Sequence, residues 1–132
     1  MGKIIFRHFT LVVTVATALF LLGCGGDSKE QERQRREAED MVYAAYRDKD
    51  YPRIIELVDS FKPQGCFSEG KACYWLGYAY DRMKQKRMAE LYWKTGIAAV
   101  ENSTDDEDVR VYAGITNRLT GLLVHGLNSK PP

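Results

Sequence analysis

Few side chains in this sequence are spaced for covalent or acid–base work. There are three cysteines, Cys24, Cys66 and Cys73, and two histidines, His8 and His125. Cys66 and Cys73 bracket Phe67-Ser68-Glu69-Gly70-Lys71-Ala72. That is not Cys-x-x-Cys spacing, and no histidine stands nearby to lower a thiol pKa, so thiol redox catalysis is not expected. Asp105, Asp106, Glu107 and Asp108 form the one obvious acidic cluster. They fit a helix start, where negative charge meets the positive end of the helix dipole. A base-activated nucleophile needs a histidine or an equivalent base beside it, and His125 has no serine or cysteine at a telling spacing. With so few ligand types a metal centre is not expected either. The sequence therefore reads as non-enzymatic, with no cofactor.

Charge and composition narrow the partners. The 132 residues are 45% hydrophobic and 28% charged, with 19 Lys and Arg against 18 Asp and Glu. Such balance provides no long-range field to capture nucleic acid or an anionic membrane, while the apolar content suffices for one small packed domain. At the N-terminus Lys3 and Arg7 precede an uncharged, mostly apolar run of 14 residues, Phe9 to Leu22. As helix this run would rise about 21 Å, short of the roughly 30 Å hydrocarbon core, so it reads as a cleaved secretory signal rather than a span.

The end of that leader, Leu21-Leu22-Gly23-Cys24, resembles the lipobox of bacterial lipoproteins. The resemblance implies that residues 1–23 are removed and that Cys24 is diacylated, with a further palmitoyl-type chain possible on the new N-terminus. Each buried methylene contributes about 0.8 kcal/mol, so two or three chains hold a protein firmly on a bilayer. Residues 24–35 would then be a lipidated tether. In that family an aspartate directly after the acylated cysteine favours the inner membrane; Gly25 stands there instead, which implies the outer membrane, facing the periplasm. Export leaves Cys66 and Cys73 as an even number of cysteines in an oxidising compartment, so a disulfide between them is expected.

Downstream, apolar residues recur at helical spacing in five segments: Ala38, Met41, Val42 and Ala45; Ile54, Ile55, Val58 and Phe61; Ala72, Leu76, Ala79, Tyr80 and Met83; Met88, Ala89, Tyr92, Trp93, Ile97 and Val100; and Tyr112, Ile115, Leu119, Leu122 and Leu123. Asp48-Lys49-Asp50 with Pro52 punctuates the first two, Lys62-Pro63-Gln64-Gly65 halts the second, and Thr104 with Glu107 fits a capping box before the fifth. Gly126 and Asn128 are the expected stop, before a frayed tail over 129–132. No segment alternates with period two. The expected fold is all-α over 36–128.

Residues 70 to 103 resemble a tetratricopeptide repeat, with Leu76-Gly77, Tyr80, Ala89 and Trp93 at the repeat's Leu-Gly, Tyr, Ala and aromatic offsets. Small Gly77 and Ala89 let two antiparallel helices approach, and Leu76, Tyr80 and Trp93 would fill the volume around them. A weaker copy lies 35 residues upstream, with Val42, Ala45 and Ile54 at equivalent positions. Cys73, Gly96 and Glu101 depart from the pattern. The resemblance implies a short solenoid of two helix pairs with the fifth helix as cap. It also implies a concave groove lined by the first helix of each pair: Arg36, Glu39, Tyr43, Tyr46 and Arg47, then Lys71, Tyr74, Tyr78, Asp81 and Arg82. Tyrosine and arginine suit contact with a protein or peptide. The expected function is a membrane-tethered interaction scaffold or assembly factor of the bacterial cell envelope. The alternative is a self-associating structural or inhibitory lipoprotein, with Val109, Val111 and Val124 of the last helix facing another copy.

Overall fold

Each of the five apolar stripes becomes a helix, and each helix begins or ends where the local chemistry demands. The computed structural model describes residues 27–128, so the leader, Cys24 and the 129–132 tail lie outside the described residues. Among these there are five α-helices and no strand: α1 (Ser28–Arg47), α2 (Tyr51–Phe61), α3 (Glu69–Arg82), α4 (Lys86–Val100) and α5 (Asp106–Asn128). The chain is all-α. It divides into two compact units at Arg33 and Gln34. The described part of the first is the opening of α1, where Arg33 pairs with Glu30 at 2.6 Å. That helix starts at Ser28, inside the stretch expected as a tether. None of the described helices is long and apolar enough to cross a membrane.

Local signals account for most boundaries. The Asp50 side chain accepts from the Arg53 amide at 3.1 Å, with Pro52 in the first turn of α2. Lys62–Gln64 tightens into a 3-10 turn, and Gly65 leaves it in the left-handed region at φ 75°, where a Cβ would be strained. The Ser68 hydroxyl caps α3 by accepting from Lys71 N at 3.3 Å. At α5 the expected capping box is replaced. Asp105, not Thr104, accepts from the amides of Glu107 (2.8 Å) and Asp108 (3.4 Å). The Glu107 carboxylate turns instead to Lys71. Gly126 does not stop α5, which runs on to Asn128.

The second unit, from Gln34 onward, contains an internal copy at an offset of 35 residues. Asp50 N donates to Ala45 O, and Gln85 N to Tyr80 O; Lys49 N donates to Tyr46 O, and Lys84 N to Asp81 O. Among the described residues Lys49 and Lys84 are the two non-glycine residues at positive φ, 57° and 65°. The same turn therefore joins α1 to α2 and α3 to α4. Equivalent positions are buried in both copies: Ala38 and Cys73, Val42 and Gly77, Ile54 and Ala89, Val58 and Trp93. The poor sequence match of the first copy hides a close structural one.

Two buried clusters result. Val42, Ile54, Val58, Cys66, Phe67 and Trp75 belong to the one formed among α1, α2 and α3, and Leu76 lies there too rather than beside Gly77. Ala89, Trp93 and Ile115 centre the other, with Tyr74, Tyr80 and Val111 packed against it. The tightest approach is between α3 and α4, where a Cβ built on Gly77 would overlap the Trp93 indole. A Cβ on Gly96 would meet Ile115 Cδ1 at 2.6 Å and Cys73 Cβ at 2.9 Å.

This packing overturns the expected disulfide. Cys66 and Cys73 are free, buried thiols. Cys66 is part of the α1–α2–α3 cluster, whereas Cys73, one turn into α3, sits against Gly96 of α4 with its Sγ 3.7 Å from Glu69 Oε1. The two side chains serve different contacts. Burial first, then the Glu69 carboxylate, pushes the Cys73 thiol up to about 11, and burial raises Cys66 as well.

Two glycine substitutions separate crowding from helix propensity. Gly77→Ala is expected to lower unfolding stability by about 1 to 3 kcal/mol, because Trp93 is fully buried and cannot yield. Gly121→Ala, where an added Cβ meets nothing within 4 Å, is expected to raise it by about 0.5 to 1 kcal/mol. Urea titration of both variants checks the pair; equal effects would contradict the packing described.

Candidate partner-binding site

Residues 71, 74, 75, 78 and 82 follow helical spacing, so α3 carries Lys71, Tyr74, Trp75, Tyr78 and Arg82 on one stripe, of which Trp75 and Tyr78 are buried in the same cluster as Ala72, Leu76 and Ala79. Helix α1 brings Tyr43 and Tyr46 against that stripe. The rings form a continuous belt of edge contacts. Trp75 takes Tyr43 at 5.2 Å between centroids, Tyr74 at 5.4 Å and Tyr46 at 5.8 Å. Tyr78 takes Tyr46 at 5.3 Å and Tyr51 at 6.2 Å. Such geometry sets the positive edge of one ring on the negative face of the next, and each contact is worth about 0.5 to 1.5 kcal/mol beyond burial.

Two arginines border the belt. Arg118, from α5, lies 4.8 Å above the Tyr78 ring and 5.5 Å above Tyr74, and its Nη2 donates to the Tyr74 hydroxyl at 3.3 Å. Arg82 lies 5.7 Å above Tyr51 and donates to its hydroxyl at 3.4 Å. Burial, then the Tyr46 hydroxyl, raises the Tyr78 pKa despite both guanidiniums, so Tyr78 is a neutral phenol at physiological pH.

Lys71 ties the face together. Its Nζ donates to Glu39 of α1 at 2.5 Å and to Glu107 of α5 at 2.6 Å, and Arg35 stands 3.7 Å from the far oxygen of Glu107. The Lys71 side chain is 17% exposed and that of Glu39 23%, so solvent screens this junction less than an ordinary surface pair. Burial alone would lower the Lys71 pKa, but the hydrogen bonds to Glu107 and Glu39 outweigh it and raise it. The acidic run of α5 thus has two structural uses: Asp105 caps the helix, and Glu107 pins it to α3.

Most of the expected groove residues meet here: Glu39, Tyr43, Tyr46, Lys71, Tyr74, Tyr78 and Arg82. Tyr43 and Tyr46 are 51% and 39% exposed, whereas Tyr78 is 9% exposed and supports the belt from below. Arg36 and Arg47 are exposed on α1, and Arg47, in its last turn, touches none of the rings. Asp81 turns away to line a separate pocket with Trp93 and Arg118. The reading of the sequence missed Trp75, Tyr51, Glu107 and Arg118. Trp75 was legible from its helical spacing to Lys71 and Tyr78; Arg118 and Glu107 come from a helix 44 and 36 residues away along the chain from their partners, which periodicity does not pair. Among the described residues no cluster of His, Cys, Asp and Glu is placed to hold a metal.

No family model, curated protein or solved structure matches the chain.

The junction sets an alkaline limit. A lysine whose folded pKa is raised adds stability that is complete below its ordinary value of 10.5 and is lost as pH climbs through the folded value. Lys71→Met is expected to cost about 1 to 2 kcal/mol at pH 7, by leaving Glu39 and Glu107 without their shared cation. Denaturant titration across pH 7 to about 12 should show the gap between wild type and variant closing above the ordinary lysine value. A gap independent of pH would contradict this role.

Proposed function

We propose that this protein is a lipid-anchored, non-enzymatic scaffold of the bacterial cell envelope, which binds a protein or peptide partner across the aromatic face of α1 and α3. The observation that carries the reading is the belt: Tyr43 and Tyr46 keep exposed surface while resting on the buried rings of Trp75 and Tyr78. Tyrosine, tryptophan and arginine dominate binding energy at interfaces because they bring large area at little cost in ordering. Here their rings are already held by one another, by Arg118 and by Arg82, which lowers that cost further. The lipobox-like Leu21-Leu22-Gly23-Cys24 supports the anchor, and its Gly25 supports an outer-membrane address facing the periplasm. The repeated 35-residue helix pair supports an architecture of the tetratricopeptide type, whose first helices α1 and α3 carry the belt.

A second reading, self-association as a structural or inhibitory lipoprotein, is favoured by α5. Val109, Tyr112, Leu123 and Val124 are each between 41% and 52% exposed on it. Val111, expected on that surface, packs instead against the α3–α4–α5 cluster.

A photo-crosslinking residue, in cells, placed at Tyr46 for the first reading and at Val124 of α5 for the second, tests both. The first reading predicts a discrete adduct with another protein in the membrane fraction and none from the same probe at exposed Ser60. Tyr43→Ala and Arg82→Ala should each reduce the adduct by roughly five- to thirtyfold, the range for losing an interface hot spot. Cys24→Ser should remove the chain from membranes. An adduct between two copies of the chain identifies the second reading, and equal capture from Ser60 contradicts the aromatic face.

A further inference from the structure

Four ionisable side chains converge on one pocket without neutralising one another. An open cavity of about 360 Å³ lies where the end of α3, the start of α4 and the second half of α5 meet. It is lined by Asp81, Lys86, Arg118 and His125, with Trp93 and Leu122 as its apolar wall. Among the described residues none of the four stands within 4 Å of an opposite charge, although Lys62, Lys71 and Lys94 are each seated on a carboxylate. Arg118 is the most telling. Two tyrosine rings and a hydroxyl fix its guanidinium, yet no carboxylate answers its charge. Gly121 lines the same pocket, and a Cβ there would meet nothing within 4 Å.

A held cation without an anion is a prepared binding group, since its ordering is complete before a ligand arrives. Two permanent cations and one carboxylate disfavour a lone ammonium ligand. A lone carboxylate would leave Asp81 unanswered. The volume lies near the lower end of small-molecule sites, of which about 300 Å³ is typical at the small extreme. We propose that this pocket binds a small apolar zwitterion of the amino-acid class. Its carboxylate is received by Lys86 and Arg118, its ammonium by Asp81, and its hydrocarbon side chain by Leu122 beside the buried Trp93 ring. Arg118 is common to this site and the belt, so the site is tested through Asp81 and Lys86, which hold none of the belt rings.

The two tryptophans provide the readout, because Trp93 lines the pocket while Trp75 lies in the belt. The full chain, labelled with nitrogen-15 and held in detergent micelles, is titrated with leucine, with 4-methylpentanoate and with 3-methylbutylamine. Leucine is expected to shift the Trp93 indole N–H resonance saturably and to leave that of Trp75 in place. Each half-analogue should bind at least about tenfold more weakly, the ratio for one lost charge-assisted hydrogen bond. Asp81→Asn and Lys86→Gln should each weaken leucine by about the same factor, with an unchanged circular dichroism spectrum confirming the fold. Three results overturn the proposal: no saturable shift, a carboxylate analogue that binds as well as leucine, or a response at Trp75 alone.

Discussion

How closely α3 lies against α4 decides what the rest of the molecule can be. The absent side chain of Gly77 makes room for the Trp93 indole, so the two helix backbones close on a flat ring rather than on a wedge. Gly70 against Val100 and Gly96 against Cys73 and Ile115 repeat the device along the same interface and toward α5. With α3 clamped on that side, Trp75 and Tyr78 form a buried floor against which α1 sets Tyr43 and Tyr46. The first helix pair meets the same geometrical demand differently, with buried Val42 and Val58 at the positions of Gly77 and Trp93. Two moderate side chains there replace one very small and one very large.

That exchange explains what was readable in the sequence and what was not. Helix number and approximate extent follow from apolar spacing, because period 3.6 is local. The 35-residue repeat is faint as letters, since Val42 for Gly77 and Val58 for Trp93 share neither identity nor individual size. The volume is kept only by the pair Val42 and Val58 against Gly77 and Trp93, and the repeat is plain in the backbone, where Lys49 and Lys84 adopt the same left-handed turn. The disulfide expectation counted cysteines and compartment but could not see that the α3 register turns Cys73 toward α4. The capping expectation failed for a related reason: Glu107 was assigned a local partner, and a half-buried lysine 36 residues away holds it instead. Tertiary charge took precedence over the local motif.

The candidate face shows the same division. Its tyrosines lie on two helices whose spacing is legible, and the exposed ones, Tyr43 and Tyr46, both meet Trp75. What organises them was not legible, because Trp75, Arg118 and Tyr51 act across elements. Lys71 links the three helices that carry or border the belt, so one ammonium couples the stability of the fold to the shape of the surface. A surface set this firmly would lose little entropy on engaging a partner, which is the proposed link from packing between α3 and α4 to function.

The central claim, that α3 and α4 nest through Gly77 and the Trp93 ring, is most directly tested by nuclear Overhauser spectroscopy on the full chain. A strong cross-peak between the Trp93 indole N–H and the Gly77 α-protons is the expected result. Helical α3 and α4 without that cross-peak would contradict the account.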